Sequence, residues 1–315
     1  AYAANVAILF SLCELFGLIF SLGLSSAFAA DFSWNGSSLN WNNTANWLEN
    51  GGSTTNLPGS SDDIVTPTLF TTIGFNVSSA TVASWTYNSS SNQAVATTFG
   101  SAADLNITGT LTKSGTGALT FRESTSSINL SINHVDLSGG RLTLGRDTDP
   151  STFTIGTADL TGGFLDFVSG GANGTITGAL TMSGTSTLNL SGQGLTSANA
   201  SVTEVNAGSL SSADSTTVVQ ANANSALNSV HNGTLVLNNT SGTATYAGII
   251  KSGLNVGNIV NIEKNGNGTQ TFSGLSNTYN GTTVINAGTL LVNGTHTGGG
   301  SYTVNNGGTL GGTGS

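Results

Sequence analysis

Gly-x-Leu followed by two further residues returns nine times in this chain. The copies begin at Gly109 (GTLTK), Gly117 (GALTF), Gly140 (GRLTL), Gly163 (GFLDF), Gly178 (GALTM), Gly208 (GSLSS), Gly233 (GTLVL), Gly288 (GTLLV) and Gly308 (GTLGG). Those at 117, 140 and 163 stand 23 residues apart, those at 208 and 233 stand 25 apart, and those at 288 and 308 stand 20 apart. Asn-Gly and Ser-Gly turns separate short β-branched or aromatic runs, and no helix fits between them. A repeat of this length made of strands and turns predicts coils stacked into a solenoid. One coil cannot bury its inward residues alone, whereas a coil above and a coil below make the core continuous.

The most complete unit runs from Ile262 to Gly294 and holds the runs Thr269–Phe272, Thr282–Ile285 and Gly288–Val292. Its sequence reads Lys264-Asn-Gly-Asn-Gly-Thr269, then Phe272-Ser-Gly274, Tyr279-Asn-Gly-Thr-Thr283 and Asn286-Ala-Gly-Thr-Leu290. This succession resembles the autotransporter-associated β-strand repeat, also called the passenger-associated transport repeat, of secreted bacterial surface proteins. The full likeness covers about a tenth of the chain. Partial copies extend a looser likeness over residues 101–315, where spacings of 8 (Gly109 to Gly117) and 55 (Gly233 to Gly288) depart from a strict array. The expected fold class is all-β, a right-handed parallel β-helix (β-solenoid) with an N-terminal β cap.

Three segments follow in order. Residues 1–29 read as a secretory signal peptide: an apolar run from Val6 to Leu24 leads to the small residues Ala27 and Ala29. Glu14 lies within that run, and a retained membrane span is the competing reading. A basic start and an initiator methionine are absent, and the last residues stop as a repeat begins to close, so both ends read as truncated. Residues 30–100 hold all four tryptophans, Trp34, Trp41, Trp47 and Trp85, and lack the Gly-x-Leu copies. This segment reads as the cap that covers the first coil. Residues 101–315 are the repeats proper, on the order of ten coils at about 22 residues each. Their inward residues are expected to be Leu111, Leu119, Phe121, Leu142, Leu144, Leu165, Phe167, Leu180, Leu188, Leu190, Leu235, Leu237, Val284 and Leu290.

The only cysteine, Cys13, falls in the signal-peptide segment, so the remainder has neither disulfides nor thiolate metal sites. The net charge of −9 argues against nucleic acid or an anionic membrane surface as a partner, because neither is held without a basic face. Charged residues make up 7% of the chain against about 25% in ordinary domains. The regular return of Val, Ile, Leu and Phe at alternating positions points to strands rather than disorder.

An enzyme on such a scaffold needs carboxylates, or a cationic base beside bound calcium, clustered on one strand face. His134 and Asp136 share a face, and a His-Asp pair can act as a general base; lacking a third partner, it is a surface hydrogen bond. Arg146-Asp-Thr-Asp149 puts two carboxylates beside a cation, but Pro150 marks a turn that is a site, a solvated loop or an incidental calcium ligand. Asp62 and Asp63 are adjacent and face opposite sides of a strand. His231 and His296 stand alone in turns and are expected to be solvent-exposed. Trp34, Trp41 and Trp47 have two readings: buried cap residues, or a stacking platform in contact with a glycan. No calcium-binding nonapeptide, phosphate loop, hydrolase elbow or zinc-protease motif is present, and no cofactor is implied.

The residues and the resemblance together predict a non-enzymatic, secreted or surface-displayed stalk or adhesin. The resemblance implies that the repeats assist passenger export, with an outer-membrane translocator that this chain does not contain and a cell-surface glycan or protein receptor as partner. The alternative is a carbohydrate-active β-helix protein, either lyase- or hydrolase-like or glycan-binding.

Overall fold

The computed structural model describes residues 29–35, 40–66, 72–97, 103–122, 127–145, 151–168, 174–190, 203–221, 232–253 and 257–315. The signal-peptide run, the Arg146–Asp149 turn and His231 lie outside these residues.

Alternation of apolar and polar residues makes the strands and sends every second side chain inward. Strand Ile128–Leu137 buries Ile128, Leu130 and Ile132, then Val135 and Leu137. The change of phase falls at an irregularity in the pairing between Ile132 and His134. Strands of successive coils pair in parallel and in register, so like residues stack. Ile107, Ile132, Ile155 and Ile176 form one buried column, and Leu119, Leu142, Leu165 and Leu188 form another. The result is an all-β parallel solenoid with a 15-stranded sheet, an 8-stranded sheet and, over the last coils, a 4-stranded sheet. Its single described helical turn is the 3-10 segment Thr44–Asn46.

The spacing of the Gly-x-Leu copies now has a cause. Gly117, Gly140 and Gly163 immediately precede or open strands of the second sheet, Ala118–Arg122, Arg141–Leu144 and Phe164–Phe167. Gly109, Gly178 and Gly208 instead lie inside strands of the longest sheet, Ala103–Ser114, Gly174–Met182 and Thr203–Ser211. The gap of eight residues is thus one corner within a coil. From Ala103 the chain makes about eight turns. This is fewer than the ten expected, because coils lengthen: Thr187 is in register with Val218, and Val218 with Ile249, each 31 residues on.

The parallel ladder also extends upstream. Strand Asp31–Trp34 pairs with Asp63–Thr66, that strand with Ser84–Asn88, and that one with Ala103–Ser114. The free edge of Asp31–Trp34 is covered by the antiparallel strand Trp47–Glu49, which turns back on itself at Gly52–Ser53. Covering that edge removes an open row of backbone donors and acceptors.

The residues expected to face inward are buried, with one correction: Val284 is half-exposed. Its neighbours Thr283 and Ile285 point inward, shifted by one residue. The buried Thr283 hydroxyl shares a 2.9 Å hydrogen bond with the Tyr279 hydroxyl, so a polar residue fills an inward position without being left unpaired.

Corners are closed by two buried lysines. Lys113 Nζ donates to the carbonyls of Ser114 (2.6 Å), Gly115 (3.1 Å) and, from the next coil, Gly139 (3.0 Å). Lys264 repeats the arrangement with Gly266 and with Ala287, 23 residues on (3.4 Å). Both open the same Lys-x-Gly-x-Gly sequence, at 113–117 and at 264–268. Gly140 packs against the first corner with φ +62°; a Cβ there would lie 2.3 Å from the Gly117 carbonyl oxygen and 2.7 Å from Lys113 Nζ. Gly51 also has positive φ, +79°, with open space around it.

Gly51→Ala should therefore cost only left-handed strain, about 1–2 kcal/mol, while Gly140→Ala costs clearly more; urea unfolding of the two variants checks the order. Burial also pushes the Lys113 ammonium down to about 8 from an ordinary 10.5. Between those values the unfolded chain holds the extra proton, so Lys113 contributes stability that is fully present above 10.5 and lost as pH falls through 8. The stability of the native chain relative to Lys113→Met should rise with pH across that window.

Candidate functional site

The tryptophans belong to the core. Trp34, Trp41, Trp47 and Trp85 are all buried. Trp47 packs edge-on to Trp34 (ring centroids 4.9 Å) and to Trp41 (4.8 Å); Trp41 meets Phe75 at 5.1 Å and Trp85 meets Phe121 at 5.5 Å. Two of the indole N–H groups have internal acceptors in the core: Trp47 Nε1 donates to the Trp41 carbonyl and Trp85 Nε1 to Thr66 Oγ1, both at 2.8 Å. Trp34, Trp41 and Trp47 therefore offer no ring face to a sugar, which corrects the glycan-contact expectation. Alternation places three of them inward because each sits at an inward position of a strand or beside its edge.

The acidic pair near the start is divided in role. Asp62 accepts from the backbone N–H of Gly59 (2.9 Å) and of Ala30 (3.2 Å), while Asp63 accepts from Ser84 Oγ (2.6 Å). His296 is not solitary, contrary to expectation. Its ring stacks on Tyr279 at 4.0 Å and 14°, Nε2 lies 2.7 Å from the Tyr279 carbonyl oxygen, and Nδ1 lies 2.9 Å from the Tyr302 hydroxyl. Coil stacking brings the three rings together: Asn277 forms a β-bridge with His296, and Thr283, whose hydroxyl meets that of Tyr279, is in register with Tyr302.

His134 and Asp136 do share a strand face, and the next coil supplies the missing third group. His134 Nε2 is 2.9 Å from Asp136 Oδ1 and 3.7 Å from Asp159 Oδ2. His134 Nδ1 lies 2.6 Å from Thr157 Oγ1. Strands Ile128–Leu137 and Thr152–Leu160 place these residues opposite one another, His134 with Thr157 and Asp136 with Asp159. Asp159 escaped the sequence reading because it is 23 residues from Asp136; the coil period, applied to Asp136, points to it. The imidazole side chain is 25% exposed and the carboxylates 51% and 53%, so the group lies on the outer face of the sheet rather than in a cleft.

The second sheet carries a buried polar column, Thr143, Asp166, Asn189 and Gln220, in register. Asp166 accepts from Arg141, from Asn189 Nδ2 and, at 3.5 Å, from Thr143; Gln220 Nε2 donates to Asn189 Oδ1 at 2.9 Å. Burial raises the Asp166 carboxyl, and the Arg141 charge and these hydrogen bonds oppose that rise. Arg141 also lies over the Phe164 ring at 4.5 Å. The Asp166 carboxylate is thus tied on each side within a structural ion-pair and hydrogen-bond network, which perturbs a pKa as an active site does. Asp166→Ala should destabilise the protein by on the order of 3 kcal/mol in urea unfolding, and the double variant Arg141→Met, Asp166→Leu should recover most of the loss.

Comparison with known proteins places residues 262–292 in one family model, the passenger-associated-transport-repeat. No curated protein and no solved structure matches the chain. The matched segment spans the corner at Lys264, the strands Thr269–Phe272, Thr283–Ile285 and Gly288–Val292, and the buried Tyr279. A parallel β-solenoid carrying this repeat fits an autotransporter passenger-like domain.

Proposed function

We propose that this protein is a non-enzymatic stalk, secreted or displayed on a bacterial surface, that presents an adhesive outer face and whose repeats assist export and extracellular folding. The observation that carries this reading is the repeat at residues 262–292 set within an uninterrupted parallel ladder. Each coil is completed by the coil before or after it, so folding begun at one end propagates along the stack. Coils that fold outside the cell cannot slip back through a narrow pore, and the folding free energy then favours outward movement. The candidate catalytic groups support the same reading: Asp166 is enclosed and tied, and His134 with its two carboxylates sits on an open face. The buried tryptophans remove the aromatic platform on which sugar binding would rest. The receptor or glycan partner is then sought on the outer faces, where Asn, Thr and Ser side chains alternate with the buried columns.

The test is surface display. The chain is fused to an outer-membrane translocator, and residues 262–292 are either left intact or scrambled at constant composition. The scrambled form should show a several-fold lower signal at the cell surface and collect in the periplasm. Equal display of both forms would sink the export role.

A further inference from the structure

Asp136 and Asp159 are in-register partners on strands one coil apart. Like charges opposite one another on neighbouring strands repel, and among the described residues neither carboxylate pairs with a lysine or arginine. Both instead face one nitrogen, His134 Nε2, at 2.9 and 3.7 Å. The other ring nitrogen is engaged by Thr157 Oγ1 at 2.6 Å, which fixes the ring with Nε2 aimed at the gap between the carboxylates. An outer hydrogen bond of this kind on the far nitrogen is the usual support of a metal-binding histidine.

The geometry fits a small divalent ion. The three ligand atoms lie within 4.8 Å of one another. Zinc bonds of about 2.0–2.1 Å to nitrogen and carboxylate oxygen set tetrahedral ligands roughly 3.3–3.4 Å apart, and the two observed distances, 2.9 and 3.7 Å, lie on either side of that value. We propose that His134 Nε2, Asp136 and Asp159 bind one divalent transition-metal ion, zinc by preference, with water completing the coordination. An imidazole with two carboxylates suits zinc better than calcium or magnesium, which take all-oxygen sets. The ion neutralises the opposed aspartates and adds a further tie between two coils already joined by the backbone ladder, the buried columns and the Thr152–Asn129 and His134–Thr157 side-chain bonds. Its ligands stand on paired strands rather than on a loop, so the site is formed before the ion arrives.

Zinc chloride alone, titrated into the full chain at neutral pH against a chromophoric chelator, tests this. One equivalent should be taken up, binding should weaken at least tenfold in His134→Ala and in Asp159→Asn, and zinc should raise the melting temperature of the native chain but not of either variant. Circular dichroism of the metal-free variants verifies that they fold. Binding that survives both substitutions places the ion elsewhere and overturns the proposal. Absence of saturable binding, with both variants less stable than the native chain without metal, identifies an imidazolium held between two carboxylates and overturns it equally.

Discussion

The parallel backbone ladder between successive coils is the interaction on which everything else in this molecule depends. Because each strand is hydrogen-bonded in register to its counterpart one coil away, a residue's environment is set by the residues above and below it more than by its neighbours in sequence. Apolar residues then stack into columns such as Ile107–Ile132–Ile155–Ile176, which no coil could bury alone. The same rule brings backbone close to backbone at the corners. Glycine is needed where a carbonyl of the preceding coil occupies the space of a Cβ, as at Gly140, and a lysine ammonium at 113 or 264 gathers the carbonyls that such tight corners leave pointing inward.

Stacking also decides what chemistry the surface can hold. Residues far apart in sequence become neighbours at one coil's separation, so groups of three arise from alternation within a strand and register between strands. His134, Asp136 and Asp159 are one such group, and Tyr279, His296 and Tyr302 are another. The first lies on an outer face and is open to an ion; the second is bonded to itself and closes the packing of the last coils. The asparagines near the corners behave likewise: Asn265, Asn286 and Asn305 form a ladder with side-chain bonds of 2.7 and 2.6 Å along the stack. A face built this way is regular and sparsely charged.

The solenoid was legible in the sequence because its cause is periodic. Gly-x-Leu copies, turn dipeptides and alternating apolar residues report the corner and the strand directly, and the repeat at 262–292 shows them together. What stayed hidden needs the register. The spacing of Gly109 and Gly117 looked irregular only because the two glycines serve different sheets of one coil. The phase at Val284 was off by one because Thr283, a polar residue, turns inward with Tyr279 as its partner. His296 looks isolated in sequence because one ring partner, Tyr279, comes from the preceding coil and the other, Tyr302, from a strand that begins six residues on. Asp159, the third member of the His134 group, follows from the 23-residue period only once His134 and Asp136 are placed on a strand of known register.

Hydrogen exchange resolved along the chain measures the continuity of the ladder most directly. A single stack predicts that amides in Asp63–Thr66 and Ser84–Asn88 exchange as slowly as those in Ile128–Leu137 and Thr152–Leu160, with faster exchange confined to the corners and the two ends. Rapid exchange throughout residues 31–97, against slow exchange beyond Ala103, would show that the upstream strands do not belong to the same ladder and would contradict the account.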